Sequence, residues 1–73
     1  MLCMPDAFDI IVNGFPEAVP AGTTLADLTT THKEGDVDLI VEHNGRFVYP
    51  AQYAHTGLSA GDRVEFINPN FGG

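Results

Sequence analysis

The chain has 73 residues, 44% of them hydrophobic and 18% charged, which is apolar enough to fold and is not a disordered composition. One small domain of this size buries only about 60% of the surface its unfolded chain exposes, and an enclosed catalytic pocket of roughly 300 Å³ would consume much of that core, so an independent enzyme is disfavoured. Three cations, Lys33, Arg46 and Arg63, face ten acidic residues for a formal net charge of −7, which argues against nucleic acid and anionic membrane and favours a basic groove on another protein.

Residues 1–7 read as a flexible N-terminal segment without the basic start and apolar run of a signal peptide. No stretch approaches the ~20 apolar residues of a membrane span, so a cytoplasmic protein is expected. Cys3 is the only cysteine, which rules out an internal disulfide or a thiolate metal cluster, and it reads as incidental.

The domain proper is expected over residues 8–67. Phe8-Asp9-Ile10-Ile11-Val12 is rich in strand-forming residues, and Asn13-Gly14 separates it from Phe15-Pro16-Glu17-Ala18-Val19. An Asn-Gly pair between two such runs predicts a hairpin. Pro16 cannot donate to a ladder, so the second strand belongs at an edge or begins there. Pro20-Ala21-Gly22 breaks it. Thr24 followed by Asp27 is a helix-start signature, with Leu25 and Leu28 on one face. The helix should run to about Lys33 and end at Gly35. Thr29, Thr30 and Thr31 are indifferent helix formers, so packing on a sheet must stabilise it.

Val37 to His43 predicts a strand, turned by Asn44-Gly45 into Arg46-Phe47-Val48-Tyr49. Residues from Pro50 to His55 suit a short irregular or 3₁₀ turn. Ser59-Ala60-Gly61-Asp62 leads into the last strand, Arg63-Val64-Glu65-Phe66-Ile67. The order ββαββ gives an α+β two-layer domain: a ubiquitin-like β-grasp, with a mixed four- to five-stranded sheet packed on one short helix. In that arrangement the first and last strands are parallel neighbours in the middle of the sheet.

Residues 68–73, Asn-Pro-Asn-Phe-Gly-Gly, have no helical period and read as an extended C-terminal tail with a reach of about 20 Å at ~3.3 Å per residue. Phe71 precedes the diglycine. Gly72 and Gly73 lack a Cβ and tolerate positive φ, so they can thread a narrow channel and present an unhindered carboxylate. An α-carboxyl with a pKa of about 3.3–3.7 is ionised at neutral pH and can attack the α-phosphate of a nucleotide. The resulting acyl adenylate is open to sulfur, nitrogen or oxygen nucleophiles. Gly73 is therefore the candidate modified residue.

No catalytic residue is assigned. His32, His43 and His55 lack the spacing and partner carboxylates of a metal site, so no metal is expected. Asp9, Asp36, Asp38 and Glu42 alternate as a solvated strand face does. Phe8, Ile11, Phe47, Phe66 and Ile67 exceed what a helix anchored by Leu25 and Leu28 can cover. A subset should therefore line the open face of the sheet as an apolar docking patch, with Phe66, Ile67 and Phe8 as the partner-binding candidates.

Val12-Asn13-Gly14, Ala21 to Leu28, Asn44-Gly45-Arg46-Phe47-Val48-Tyr49-Pro50 with Tyr53, Gly61 to Phe66, and Gly72-Gly73 resemble, in order and spacing, the ThiS-type sulfur carriers of thiamin biosynthesis. The resemblance covers nearly the whole chain after Asp6. It implies that a ubiquitin-activating-type adenylating enzyme, ThiF-like, adenylates Gly73 with its own ATP and magnesium, the carrier itself binding no cofactor. A persulfide sulfur donor then converts the adenylate to a thiocarboxylate, which a ThiG-like thiazole synthase or another sulfur acceptor enzyme consumes. The MoaD-type carriers of molybdopterin synthesis share the fold and the diglycine, and Pro69 resembles that branch; related carriers also serve cysteine or homocysteine synthesis. Phe71 and the length of Met1–Asp6 depart from many relatives. Two other classes stay open: a ubiquitin-like interaction module, which would not need Gly73, and a modifier, which would end as an amide on lysine.

Overall fold

Two Asn-Gly pairs set the sheet. In the computed structural model, which describes residues 6–32 and 39–67, Asn13 and Gly14 take φ of 50° and 87°, and Asn44 and Gly45 take 53° and 84°. Positive φ at both central residues gives the twist-matched type I′ turn. Each pair thus folds its flanking strands into an antiparallel hairpin: β1 (Ala7–Val12) with β2 (Phe15–Pro20), and β3 (Ile40–His43) with β4 (Arg46–Val48).

The last strand, β5 (Arg63–Ile67), joins the two hairpins. It runs parallel to β1 and antiparallel to β3, giving a five-stranded sheet of order β2-β1-β5-β3-β4. The helix α1 (Leu25–Thr31) packs on one face. This is the expected β-grasp, with first and last strands parallel at the centre.

The strand with two prolines lies at an edge, and its register explains how both are tolerated. Across a two-residue turn Val12 faces Phe15, so Phe15, Glu17 and Val19 aim their backbone groups at β1 while Pro16, Ala18 and Pro20 aim theirs outward. The Ala21 N–H donating to Asp6 O at 2.6 Å continues that phase. Two of the three outward positions cannot donate. The free edge therefore offers one N–H, that of Ala18, and is a poor template for another chain.

Thr24 caps the helix as predicted. Its Oγ1 accepts from the Asp27 N–H at 3.2 Å while an Asp27 carboxylate oxygen accepts from the Thr24 N–H at 3.0 Å, a reciprocal capping box. The Leu25 N–H, otherwise an orphan of the first turn, donates to Thr56 O at 3.0 Å. The helix stops at Thr31, with His32 as its cap, short of the expected end near Lys33 and Gly35; residues 33–38 lie outside those described. Thr29 and Thr30 both donate their hydroxyls back to Ala26 O, at 2.8 and 3.0 Å, the local competition that makes such residues weak helix formers.

Two other boundaries shift. The strand expected from Val37 begins at Ile40, Val37 and Asp38 lying outside the described residues. Tyr49, expected to end β4, instead precedes the 3₁₀ helix Pro50–His55 with φ −78° and ψ 146°. The residue before proline is held extended by its ring, and Tyr49 O then accepts the Gln52 N–H at 2.8 Å.

Ile10, Leu25, Leu28, Val41 and Val64 are fully buried between sheet and helix. Leu39, just before β3, and Leu58, between the 3₁₀ helix and β5, are also buried, so the helix side of the core has two anchors beyond Leu25 and Leu28. Leu58 is pinned there by its N–H bond to Thr23 O at 2.9 Å and by the bridge between Thr24 and Gly57.

Candidate functional site

Strand alternation decides which side chains face the helix. Ile10 and Val12 of β1, Val64 of β5, and Val41 of β3 point into the core, so the residues between them point to the uncovered face. On that face the register places Ile67 opposite Ile40, and Glu65 opposite Glu42, which in turn stands opposite Phe47. Phe47 packs edge-on against Tyr49, ring centroids 4.7 Å apart at 88°, the T-shaped arrangement aromatic pairs prefer. Phe47 is 49% and Tyr49 62% exposed. The result is an apolar strip, Ile67–Ile40 beside Phe47–Tyr49, at the end of the sheet where β5 finishes and residues 68–73 follow.

The expected open-face set is thus redrawn. Ile67, Ile11 and Phe47 do face outward, but Phe8 and Phe66 share the phase of Ile10 and Val64 and pack partly buried against the core. Phe66 lies 5.6 Å, centroid to centroid, from the His32 ring. Nor do Phe8 and Phe66 meet. Ile11 is level with Arg63, so Phe8 sits three residues before that level and Phe66 three beyond it, about 20 Å apart at ~3.3 Å per residue. Ile40 and Tyr49 were missed, although the alternation around Val41 and Val48 carries the signal for both. Phe71, Gly72 and Gly73 lie outside the described residues.

Side-chain hydrogen bonds fix the strand that carries this end of the sheet. Asn13 Oδ1 accepts the Phe66 N–H at 2.8 Å, and Asn44 Oδ1 accepts the Arg63 N–H at 2.8 Å. Both hairpin asparagines therefore serve twice, as left-handed turn residues and as clamps on β5. Asp62 completes the second clamp. Its carboxylate meets His43 Nε2 at 2.7 Å and accepts the Ser59 N–H at 2.9 Å and the Asn44 Nδ2–H at 3.2 Å.

Burial alone pushes the Asp62 carboxyl up, but the hydrogen bonds from His43, Ser59 and Asn44 and the attraction of His43 outweigh it and hold the group below its ordinary value. A depressed carboxyl contributes stability that is fully present above its unfolded pKa, about 4, and is lost as pH falls through the folded value. Asp62→Asn should therefore cost about 1–3 kcal/mol at neutral pH by stripping the charged acceptor from this cluster. The Tm gap to the parent should close below about pH 4. Thermal melts of both chains across pH check it, and a gap that persists undiminished in acid would sink the assignment.

The remaining histidines have no metal-site or catalytic geometry. His32 Nε2 meets a Glu17 carboxylate oxygen at 2.8 Å, joining the helix end to β2, and His55 is exposed at the end of the 3₁₀ helix. Among the described residues no cluster of His, Cys, Asp or Glu could hold a metal ion. An open groove of about 440 Å³ runs between β2 and α1. Its carboxylates are already engaged, Glu17 with His32 and Asp27 in the capping box, so it lacks the convergent free polar groups of a catalytic pocket. No described helix is long and apolar enough to cross a membrane.

The ThiS family model matches residues 10–73. Among solved structures, the crystal structure of the thiamine biosynthesis protein (ThiS) from Geobacter metallireducens is similar at a TM-score of 0.78 and 28% sequence identity, covering 90% of this chain and 100% of that one. No curated protein matches the chain.

Proposed function

The chain belongs to the ThiS family, and from that premise we propose that it is a sulfur carrier protein of thiamin biosynthesis, with the carboxyl group of Gly73 as its working group. The observation that carries this is the family match, which spans residues 10–73 and so takes in most of the β-grasp and the Gly72-Gly73 pair. The carrier performs no catalysis. It is the substrate of a ThiF-like adenylating enzyme in the cytoplasm, and residues 68–73 act as the tether that enters the enzyme while the domain, residues 8–67, stays outside.

The chemistry follows from the carboxylate. One of its oxygens attacks the α-phosphorus of the ATP held, with magnesium, by the activating enzyme; the bond to the β-phosphate breaks and pyrophosphate leaves. The terminal sulfur of a donor persulfide then attacks the acyl carbon and expels AMP. A thiol on the donor closes a disulfide and frees the thiocarboxylate, whose sulfur passes to a ThiG-like thiazole synthase. The strip of partly buried Ile40 and Ile67 with exposed Phe47 and Tyr49 supports the reading physically, since an apolar patch beside the base of the tether can dock each partner in turn.

Intact mass tests it. Protein incubated with ATP, magnesium, the activating enzyme and a persulfide source should gain the mass of one oxygen replaced by sulfur. An unchanged mass beside a demonstrably active partner would overturn the carrier function in favour of an interaction module, and an amide to lysine would identify a modifier instead.

A further inference from the structure

The docking strip contains one feature that folding does not account for. Glu42 and Glu65 stand directly opposite each other on β3 and β5. The Asn44 N–H donates to Arg63 O at 2.8 Å, which makes Glu42 and Glu65 a hydrogen-bonded pair, with Cα atoms about 5.5 Å apart. Like charges in directly opposed positions destabilise a sheet. Arg63 is two residues away on the same face, yet among the described residues no Lys or Arg lies within 4 Å of either carboxylate. Neither glutamate accepts a hydrogen bond from a described residue, whereas Asp62, Asp27 and Glu17 are all engaged. On either side the pair has apolar neighbours, the Ile40–Ile67 row along the strands and Phe47 across from Glu42.

We propose that the Glu42–Glu65 pair is a seat for an arginine of the activating enzyme, and that it determines partner specificity on this face. Charge complementarity selects a cation, in keeping with a chain of net charge −7. The surroundings select arginine over lysine. A guanidinium is weakly hydrated and planar, can reach two carboxylates through its fork of donors, and stacks on an aromatic face such as Phe47. An ammonium would give up more hydration among isoleucines. The repulsion present in the free carrier is relieved only when the cation arrives, so the pair favours a partner with arginine at that place and rejects one with an acidic or apolar residue there. This assignment rests on the carrier function proposed above, since it takes the activating enzyme as the occupant.

The test titrates the purified ThiF-like adenylating enzyme of the same organism with the parent chain, with E42Q/E65Q and with Phe47→Ala, at low and high salt, alongside thermal melts and the intact-mass reaction. The parent should bind more weakly as salt rises. The double glutamine variant should bind about tenfold more weakly at low salt and lose most of that salt dependence, while its Tm rises by a few degrees as the repulsion disappears. Phe47→Ala should weaken binding with the salt dependence retained. Undiminished binding of E42Q/E65Q, a loss of affinity with the salt dependence intact, a fall in its Tm, or no binding of the parent would each overturn the proposal. The two readings separate cleanly. Glutamate-dependent binding without any mass gain keeps the arginine seat and removes the carrier chemistry, and a normal mass gain with glutamate-independent binding does the reverse.

Discussion

A chain lacking Gly73 should dock on its activating enzyme as tightly as the full chain and yet gain no sulfur. On the proposed reading docking belongs to the sheet face, where Ile40, Ile67, Phe47 and Tyr49 lie beside strands clamped by Asn13 and Asn44. Chemistry belongs to the end of the tether. Removing one residue draws the carboxylate back by about 3.3–3.6 Å, the full separation of two reacting atoms in an attack-ready complex, and a displacement of even 1 Å from that geometry can cost about 10²-fold. Gly73→Ala keeps the reach and adds a Cβ beside the reacting carbon, so it should react more slowly than the parent and faster than the deletion. Binding titrations paired with intact mass separate the two contributions. A deletion that still acquires sulfur at the parent rate would show that Gly73 does not carry the reacting carboxylate.

The fold is legible in the sequence where one local rule determines the outcome. Asn13-Gly14 and Asn44-Gly45 announced both hairpins because few residue pairs tolerate positive φ in succession, and the Thr24 to Asp27 spacing announced the capping box because it closes two hydrogen bonds at once. Pro16 indicated an edge because its nitrogen must face away from the ladder. The faces of the strands were harder. Phe8 and Phe66 are as apolar as Phe47, and only the phase set by Ile10, Val64 and Val48 tells which are covered; that phase becomes usable once the pairing register is known. Asp62 illustrates a further limit. Its partners His43 and Asn44 are 19 and 18 residues away in sequence, brought together by the antiparallel pairing of β3 with β5, and no local pattern reports such a meeting. The same holds for Glu42 opposite Glu65, two unremarkable strand charges until the register puts them side by side. Leu58 lies outside a regular element, where periodicity has nothing to repeat, whereas Leu39 falls within the strand expected from Val37 and shares the phase of buried Val41.

Leu28→Ala should be among the most damaging single substitutions for the fold. The side chain is 1% exposed, and α1 has seven residues, too few to be stable by itself in water. Its three threonines add little propensity, and two of them spend their hydroxyls on Ala26 O, so the helix persists only while Leu25 and Leu28 hold it to the sheet. Truncating a buried leucine to alanine costs about 2–5 kcal/mol through lost burial and the cavity left behind. A domain of this length has a total stability of roughly 4–11 kcal/mol at about 0.05–0.15 kcal/mol per residue, so the loss consumes a large share of it. At about 4–8 °C per kcal/mol for a domain of this size, Tm should fall by at least about 8 °C, or the chain should fail to melt cooperatively at all. Phe47→Ala, on a side chain that is 49% exposed, should leave Tm nearly unchanged while weakening partner binding. Melts of the two variants side by side check this contrast. A Leu28→Ala domain that melts within a few degrees of the parent would mean that Leu39, Leu58 and the capping box keep α1 on the sheet without Leu28, and the helix would then be anchored from its ends rather than from its buried face.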